Sequence, residues 1–325
     1  MVNDPAAQPQ IIGRVEPRVA APRRRFFRMP LYFGRRHGLD GAAGPKGQFI
    51  ANMVKASGQM VSPYRFRFRA FRAKVPLQVQ VKNFMVKTVD SAAELEKILR
   101  LRYKVFYSEY CERKRLFAID VDEFDVICDH LMIIDTKSHT CVGTYRLNCS
   151  LFNKRFYSET EFGIAPIIAL PGVKLELGRA CVQKEYRRGI TLALLWRGMS
   201  EYIKLTQTRY LFGCSSVKTT DPLEIAVVRR YLLEHYPCVP AMRVVPHAQH
   251  AIKALGLYTA LADSLDEKLV TAHAKSMVPS LLQSYLKAGA VICSDPALDE
   301  DFHCVDFFTL LDLTHTTDAI ERKFL

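Results

Sequence analysis

With 325 residues, 49% apolar content and 10% aromatics, the chain can bury a sizeable core, which excludes a disordered or fibrous class. Its formal charge of +13 is uneven: residues 1 to 82 carry 16 Lys and Arg against Asp4, Glu16 and Asp40, while residues 83 to 325 balance at 30 against 30. Nine cysteines without a C-x-x-C pair, a polar start and no apolar run near the roughly 20 residues of a spanning helix point to a reducing, cytoplasmic compartment with at most peripheral membrane contact.

The first 60 or so residues are rich in Pro, Gly, Ala and Arg and lack a sustained period, so residues 1–80 read as a basic, flexible extension and 81–325 as the folded domain. Two segments, Arg23 to Phe33 and Tyr64 to Arg72, interleave cations with aromatics. Each suits an anionic membrane surface on the inner face of the cell membrane, an acidic protein or a nucleic acid. The alternative is a solvated tail plus one edge strand with its aromatics facing inward.

Val81 to Val89 reads as a strand, and Ser91-Ala92-Ala93-Glu94 forms a capping box opening a helix with the apolar stripe Leu95, Ile98, Leu99 and Phe106. His130 to Asp135 and Cys141 to Leu147 form a hairpin about Thr136 to His139. Val173 to Val182 is a strand, followed by a helix with Leu192, Leu195, Trp196, Met199, Tyr202 and Ile203 on one face. Tyr210 to Cys214 is a short strand, Leu223 to Tyr236 a helix, Ser276 to Lys287 a helix ending at Gly289, and Cys304 to Leu313 a last strand. This alternation predicts an α+β (mixed αβα) fold, with a mixed, mostly antiparallel sheet covered by helices.

The densest chemical signal is Leu175-Glu176-Leu177-Gly178-Arg179-Ala180-Cys181-Val182, running through a basic turn with Arg187, Arg188 and Gly189 into the next helix. Backbone N–H groups at such a helix start suit a phosphate. Glu176, a carboxylate inside an apolar run, must face a cleft or a cation, and is a candidate base. Arg179 is its obvious ion-pair partner, but the two meet only if the strand bulges near Gly178. Arg102 lies within the apolar stripe of its helix and needs an acid, for which Asp122, Asp125, Asp129 and Glu176 are candidates. Arg146 is a charge on an otherwise apolar strand. One interior acid and base constellation accounts for all of these placements together.

His130 and Asp135 match an H-x4-D acyltransferase spacing, but an offset of five on a strand puts them on opposite faces. The cysteines and the pair His247 and His250 make no metal spacing, so no metal is expected. Cys214 reads as core rather than as an acyl-carrying nucleophile.

Several ordered segments carry a resemblance: Leu101-Arg102-Tyr103-Lys104-Val105-Phe106, Glu123-Phe124-Asp125 through Asp129-His130-Leu131, Val142-Gly143-Thr144-Tyr145-Arg146-Leu147, Phe156-Tyr157-Ser158-Glu159 through Phe162, Leu175 to Val182, Leu194-Leu195-Trp196-Arg197-Gly198, and Tyr285 through Asp299, Phe302 and Asp306. Over residues 83 to 325 the chain resembles the GNAT ornithine N-acyltransferases of the hemolysin-like group, and more distantly the acyl-homoserine-lactone synthases. Leu298 and Ser294 stand where that group would have Trp and Gly.

The resemblance implies that Arg102, Phe106, Asp125, Asp129, Arg146, Glu176 and Arg179 line an acyl-transfer cleft, with Glu176 as base or amine-orienting group. It implies that Cys181, Val182, Arg187, Arg188 and Gly189 hold the phosphopantetheine of the donor. Thr191 and Leu192 replace the second small residue of the usual acyl-CoA turn, which favours acyl carrier protein, whose arm has a single phosphodiester, over acyl-CoA. The expected reaction transfers a 3-hydroxy fatty acyl group from acyl-ACP to the α-amine of ornithine, giving lyso-ornithine lipid without a separate cofactor. A lactone synthase or other N-acyl amino acid synthase, and a non-catalytic protein binding membrane or nucleic acid through residues 1 to 82, are the rival readings.

Overall fold

The computed structural model describes residues 68–109, 118–187 and 190–315. Its strands are β1 (Gln78–Val81), β2 (Phe84–Thr88), β3 (Asp129–Asp135), β4 (Thr140–Cys149), β5 (Val173–Val182), β6 (Thr208–Val217), β7 (Val291–Ile292), β8 (Ala297–Asp299) and β9 (Cys304–Asp312). They form one sheet in the order β1-β2-β3-β4-β5-β6-β9-β7, with β8 also on β9. All pairs are antiparallel except β5 with β6. The mixed, mostly antiparallel sheet of an α+β fold is therefore present.

Alternation along β3 divides the layers. Leu131 and Ile133 face α3 (Thr191–Thr206), and Met132 and Ile134 face α1 (Ala92–Glu109), with the four-residue α2 (Ala165–Ile168) between the two helices in sequence. The helix α3 lies close to the sheet because Gly198 has no side chain: a Cβ there would sit 2.6 Å from Val86. The remaining helices, α4 (Pro222–His235), α5 (Leu255–Asp263), α6 (Glu267–Met277) and α7 (Ser280–Lys287), build a second apolar core against β6 and β9. Asp221 caps α4, accepting from the backbone of Leu223 and Glu224, and Pro222 fills the first helical position. Among the described residues no helix is long and apolar enough to cross a membrane.

Three expectations are corrected. The folded unit begins before residue 80: Phe68, Phe71 and Val75 are buried, and Lys74 and Val75 donate their backbone N–H groups to Asp129 at 2.8 and 3.1 Å. The strand expected from Val81 to Val89 is present as β2 but starts at Phe84, after a turn with Lys82 in a left-handed conformation that pairs it with β1. The helix expected from Ser276 begins instead at Ser280, because Pro279 holds Val278 in an extended conformation and ends α6 before it. The helices α5 and α6 have no counterpart in the sequence reading. Residues 1–67 lie outside the described residues, so the segment Arg23 to Phe33 and the first half of the segment Tyr64 to Arg72 do too.

Candidate active site

The strands β5 and β6 run together only as far as Glu176 and Phe212. Beyond that point they part, and a cavity of about 450 Å³ opens between them, walled by Gly178 to Val182 on one side and Gly213 to Ser216 on the other. At the fork Gly213 is pressed against β5, where a Cβ would lie 2.3 Å from the carbonyl oxygen of Leu177. Only glycine lets the strands close to this distance and then diverge. The edge of β5 that faces the gap has no strand partner past Glu176, so its peptide groups are offered to the cavity.

Across the sheet, β4 pairs with β5 through an irregularity in which Arg179 and Ala180 together oppose Tyr145. Arg179 takes the left-handed conformation that such a bulge requires. The expected bulge is thus present, and it turns Arg179 into the cavity wall beside Arg146.

The two residues expected to pair across that bulge do not pair. Glu176 Oε1 accepts from the backbone N–H and the hydroxyl of Ser158, and Oε2 accepts from Tyr157 N and Asn148 Nδ2. Four donors use the lone-pair sites of one carboxylate, leaving none directed at an incoming amine. Glu176 lines the cavity and also braces residues 157 and 158 and Asn148 through these four hydrogen bonds. Arg179 is drawn elsewhere, with Nη2 3.3 Å from Asp122 and Nε 3.7 Å from Asp120.

Beneath the cavity three guanidinium groups meet three carboxylates. Arg102, 1% exposed, contacts Asp120 at 2.6 Å and forks onto both oxygens of Asp125 at 2.6 and 3.3 Å. Arg146 bonds Asp122 through Nη1 at 2.6 Å and Asp125 at 3.1 Å. The backbone N–H of Asp122 donates to Asp125, and Asp122 in turn accepts from Phe124, so the loop holds its own acids in place. Burial alone would raise Asp125, but the Arg102 and Arg146 guanidiniums outweigh it and hold the carboxyl far below the usual range. Of this set only Arg146 and Arg179 reach the cavity; Arg102 and Asp125 support them from behind. Asp129 serves neither role, since its oxygens are taken by Lys74, Val75 and the Tyr202 hydroxyl.

The donor-side residues are partly placed. Cys181, Val182 and Arg187 line the cavity, together with Thr191 and Leu192 at the start of α3. Arg187 donates through Nε to the Val182 carbonyl at 3.0 Å, folding the turn back on its strand. Arg188 and Gly189 lie outside the described residues. Phe106 reaches the opposite wall and packs edge-on against Phe302. His130 and Asp135 are separated as the alternation required: the first is fully buried against the Asp125 carbonyl, the second accepts from Tyr186. Cys214 lines the cavity, and burial beside Glu161 and Asp306 pushes its thiol well above the usual value, which is the opposite of an activated nucleophile.

The sequence reading gave no role to a second acidic group. Asp299, Cys304 and Asp306 bring their polar atoms within 4.8 Å of one another at one end of the cavity, and Glu161 lies against Asp306. Burial raises the carboxyls of both Asp306 and Glu161, and each carboxylate adds to the other's shift or contacts it. The signal was available: Asp306 interrupts the apolar run Val305, Phe307, Phe308 just as Glu176 interrupts its own.

The site thus combines a parted pair of strands, a basic wall and a fixed acid-bearing end. Residues 101–197 match the acetyltransferase (GNAT) domain model. An L-ornithine N(alpha)-acyltransferase of Brucella abortus is 30% identical over 252 residues, which span 72% of this chain and 86% of that protein. Its namesakes in Agrobacterium fabrum and Rhizobium meliloti are 32% and 31% identical, over 68% and 72% of this chain and 78% and 81% of their own lengths. The chain is an acyltransferase and belongs to the L-ornithine N(alpha)-acyltransferase family.

Proposed function

We propose that the protein transfers a 3-hydroxy fatty acyl group from acyl carrier protein to the α-amine of ornithine, forming lyso-ornithine lipid. The observation that carries the reading is the gap between β5 and β6 past Glu176 and Phe212, which offers an extended thioester arm a strand edge to lie along. The names of the relatives supply the acceptor. The deprotonated α-amine attacks the thioester carbonyl carbon, the C–S bond breaks, and the carrier leaves as a thiol carrying the proton that the amine gives up. Backbone N–H groups of Ala180 to Val182 polarise the carbonyl, and Arg146 and Arg179 give the wall a positive potential that favours the developing oxyanion.

Arg187 and its neighbours in the turn are the docking point for the acidic carrier, whose arm carries one phosphodiester. Contact of the basic N-terminal residues with an anionic membrane surface would deliver the amphiphilic product where it dissolves, each Lys or Arg near the surface contributing about 1 kcal/mol. The test incubates the full chain with 3-hydroxyacyl-ACP or 3-hydroxyacyl-CoA and L-ornithine, and follows the amide by mass spectrometry. Product from the carrier-bound donor supports the reading; turnover with the CoA thioester alone overturns the donor, and no amide from either overturns the function.

A further inference from the structure

Beneath the cavity Arg102 and Arg146 are held closely by Asp120, Asp122 and Asp125 at 2.6 to 3.1 Å, while Arg179 stands off its acids at 3.3 and 3.7 Å and lines the cavity. The acidic end of the cavity has no such pairing. Glu161 is 2% exposed and Asp306 3%, and among the described residues no ion pair reaches either of them or Asp299. Asp306 accepts a hydrogen bond from Ser216 at 2.5 Å, but Glu161 Oε2 is fully buried with no hydrogen-bond partner. Tyr157, Cys214 and Asp306 are the side chains against Glu161, so the group holds no cation of its own, and a buried carboxylate oxygen without a donor costs on the order of 1–3 kcal/mol.

Arg179 lines the same space. Arg179 Nε is buried without a hydrogen-bond partner, and the Arg179 guanidinium lies 4.9 Å over Tyr157 and 5.4 Å over Phe302. Phe302 lines the cavity and follows directly from the turn in which Asp299 accepts from the backbone of Asp301 and Phe302. The order across the space is therefore cation, aromatic wall, anions.

We infer that Asp299 and Asp306, the latter backed by Glu161, bind the side-chain ammonium of a diamino acid acceptor while Arg179 binds its α-carboxylate, the carbon chain lying along Phe302. The inference rests on the acceptor reading of the preceding section and deepens it by naming the residues that choose the acceptor. An ammonium brings one positive charge and three donors, and the carboxyls of Asp299 and Asp306 are the acceptors this end turns to the cavity. Burial raises the Asp306 and Glu161 carboxyls, and an ammonium beside them would favour their ionised forms. An acceptor of the same length without the terminal amine would leave those carboxyls as they are and gain nothing from them.

The test compares L-ornithine with L-norvaline, which has the same carbon chain and no terminal amine, at saturating 3-hydroxyacyl-ACP, in the full-length protein. Wild type is expected to favour ornithine in kcat/KM by at least about 10-fold, and Asp306→Asn to bring the ratio toward one, chiefly through KM for ornithine. Asp299→Asn, at a half-buried position, is expected to give the same direction independently of Asp306.

If the two acceptors fall in parallel through kcat in both variants, Asp306 acts on the chemistry and the recognition site is refuted. Equal use of both acceptors by the wild-type protein refutes it while leaving acyl transfer intact. A stoichiometric metal in the purified protein, with the preference lost to a chelator, refutes it by naming a different cation. If wild type acylates neither acceptor, the acceptor reading fails first and this one with it.

Discussion

Ser158 donates twice to one oxygen of Glu176, through its backbone N–H at 2.7 Å and its hydroxyl at 2.8 Å, and so ties the turn after β4 to the strand that carries the cavity. Tyr157, whose ring carries the guanidiniums of Arg146 and Arg179 at 5.4 and 4.9 Å, is held by the same carboxylate. Glu176→Gln replaces one acceptor oxygen by an NH2 group aimed at existing donors. It should lower stability by about 2 kcal/mol, read in urea denaturation, with activity falling through loss of the Tyr157 wall. Retention of the wild-type pH profile in the residual activity separates this from removal of a base, which would abolish the ascending limb.

Asp125→Asn tests the ion set beneath the cavity. Asp125 is fully buried and shared between Arg102 and Arg146, so the amide leaves two guanidiniums facing one fewer charge. The expected cost is about 3 kcal/mol or more, seen as a drop in the denaturation midpoint. Glu123→Gln, on the same loop but in an exposed pair with Arg155, should change the midpoint little.

His130 predicts a pH dependence of stability. Burial holds its imidazole at about 4, against an ordinary value of about 6.5. Between these two pH values the unfolded chain binds a proton that the folded chain refuses, so the contribution is present above about 6.5 and lost as pH falls toward 4. From pH 7 to pH 5 that one group removes about 2 kcal/mol. Comparing wild type with His130→Gln at the two pH values isolates it, because the raised Asp306 carboxyl, which contributes in the opposite sense, is common to both proteins. An identical pH slope in the two proteins would contradict the assignment.

Gly213→Ala places a methyl group 2.3 Å from the Leu177 carbonyl oxygen, which forces β5 and β6 apart below the fork. The cost in stability is about 1–3 kcal/mol. The donor should suffer more than the acceptor, because the strand edge along which a thioester arm lies is the one displaced. The measurement is kcat/KM for 3-hydroxyacyl-ACP against that for the amine, expected to fall at least about 10-fold for the former.

The strands of the sheet were readable from alternation, and β5 was delimited to the residue because both its ends meet a turn. The helices α5 and α6 were not, since they are short and leave Leu257, Leu261 and Leu269 exposed, so their apolar residues do not mark one buried face. In the site, Arg102, Arg146 and Arg179 stood out as charges on apolar elements, and the structure gathers all three. Their partners were half legible. Asp122 and Asp125 lie in a visibly acidic run, whereas Asp120 precedes it and is identified only by its 2.6 Å contact with Arg102. Sequence could suggest that Glu176 is buried, but not that two backbone N–H groups from residues 157 and 158 would occupy it. The pairing of Glu161 with Asp306 joins residues 145 apart in the chain and depends on how β6 and β9 register, which no local pattern encodes.

The carboxylate of Asp129 is a rivet that fixes the entry of the polypeptide into the sheet, where it meets Lys74, Val75 and Tyr202. A deletion that removes the basic arm by cutting at residue 80 would therefore also take away β1's first residues, the buried side chains of Phe68, Phe71 and Val75, and both backbone donors on that rivet. Catalysis would then be lost for a reason unconnected with the arm itself. A cut upstream of Phe68 keeps the hem of the sheet sewn and lets the arm's contribution be weighed on its own.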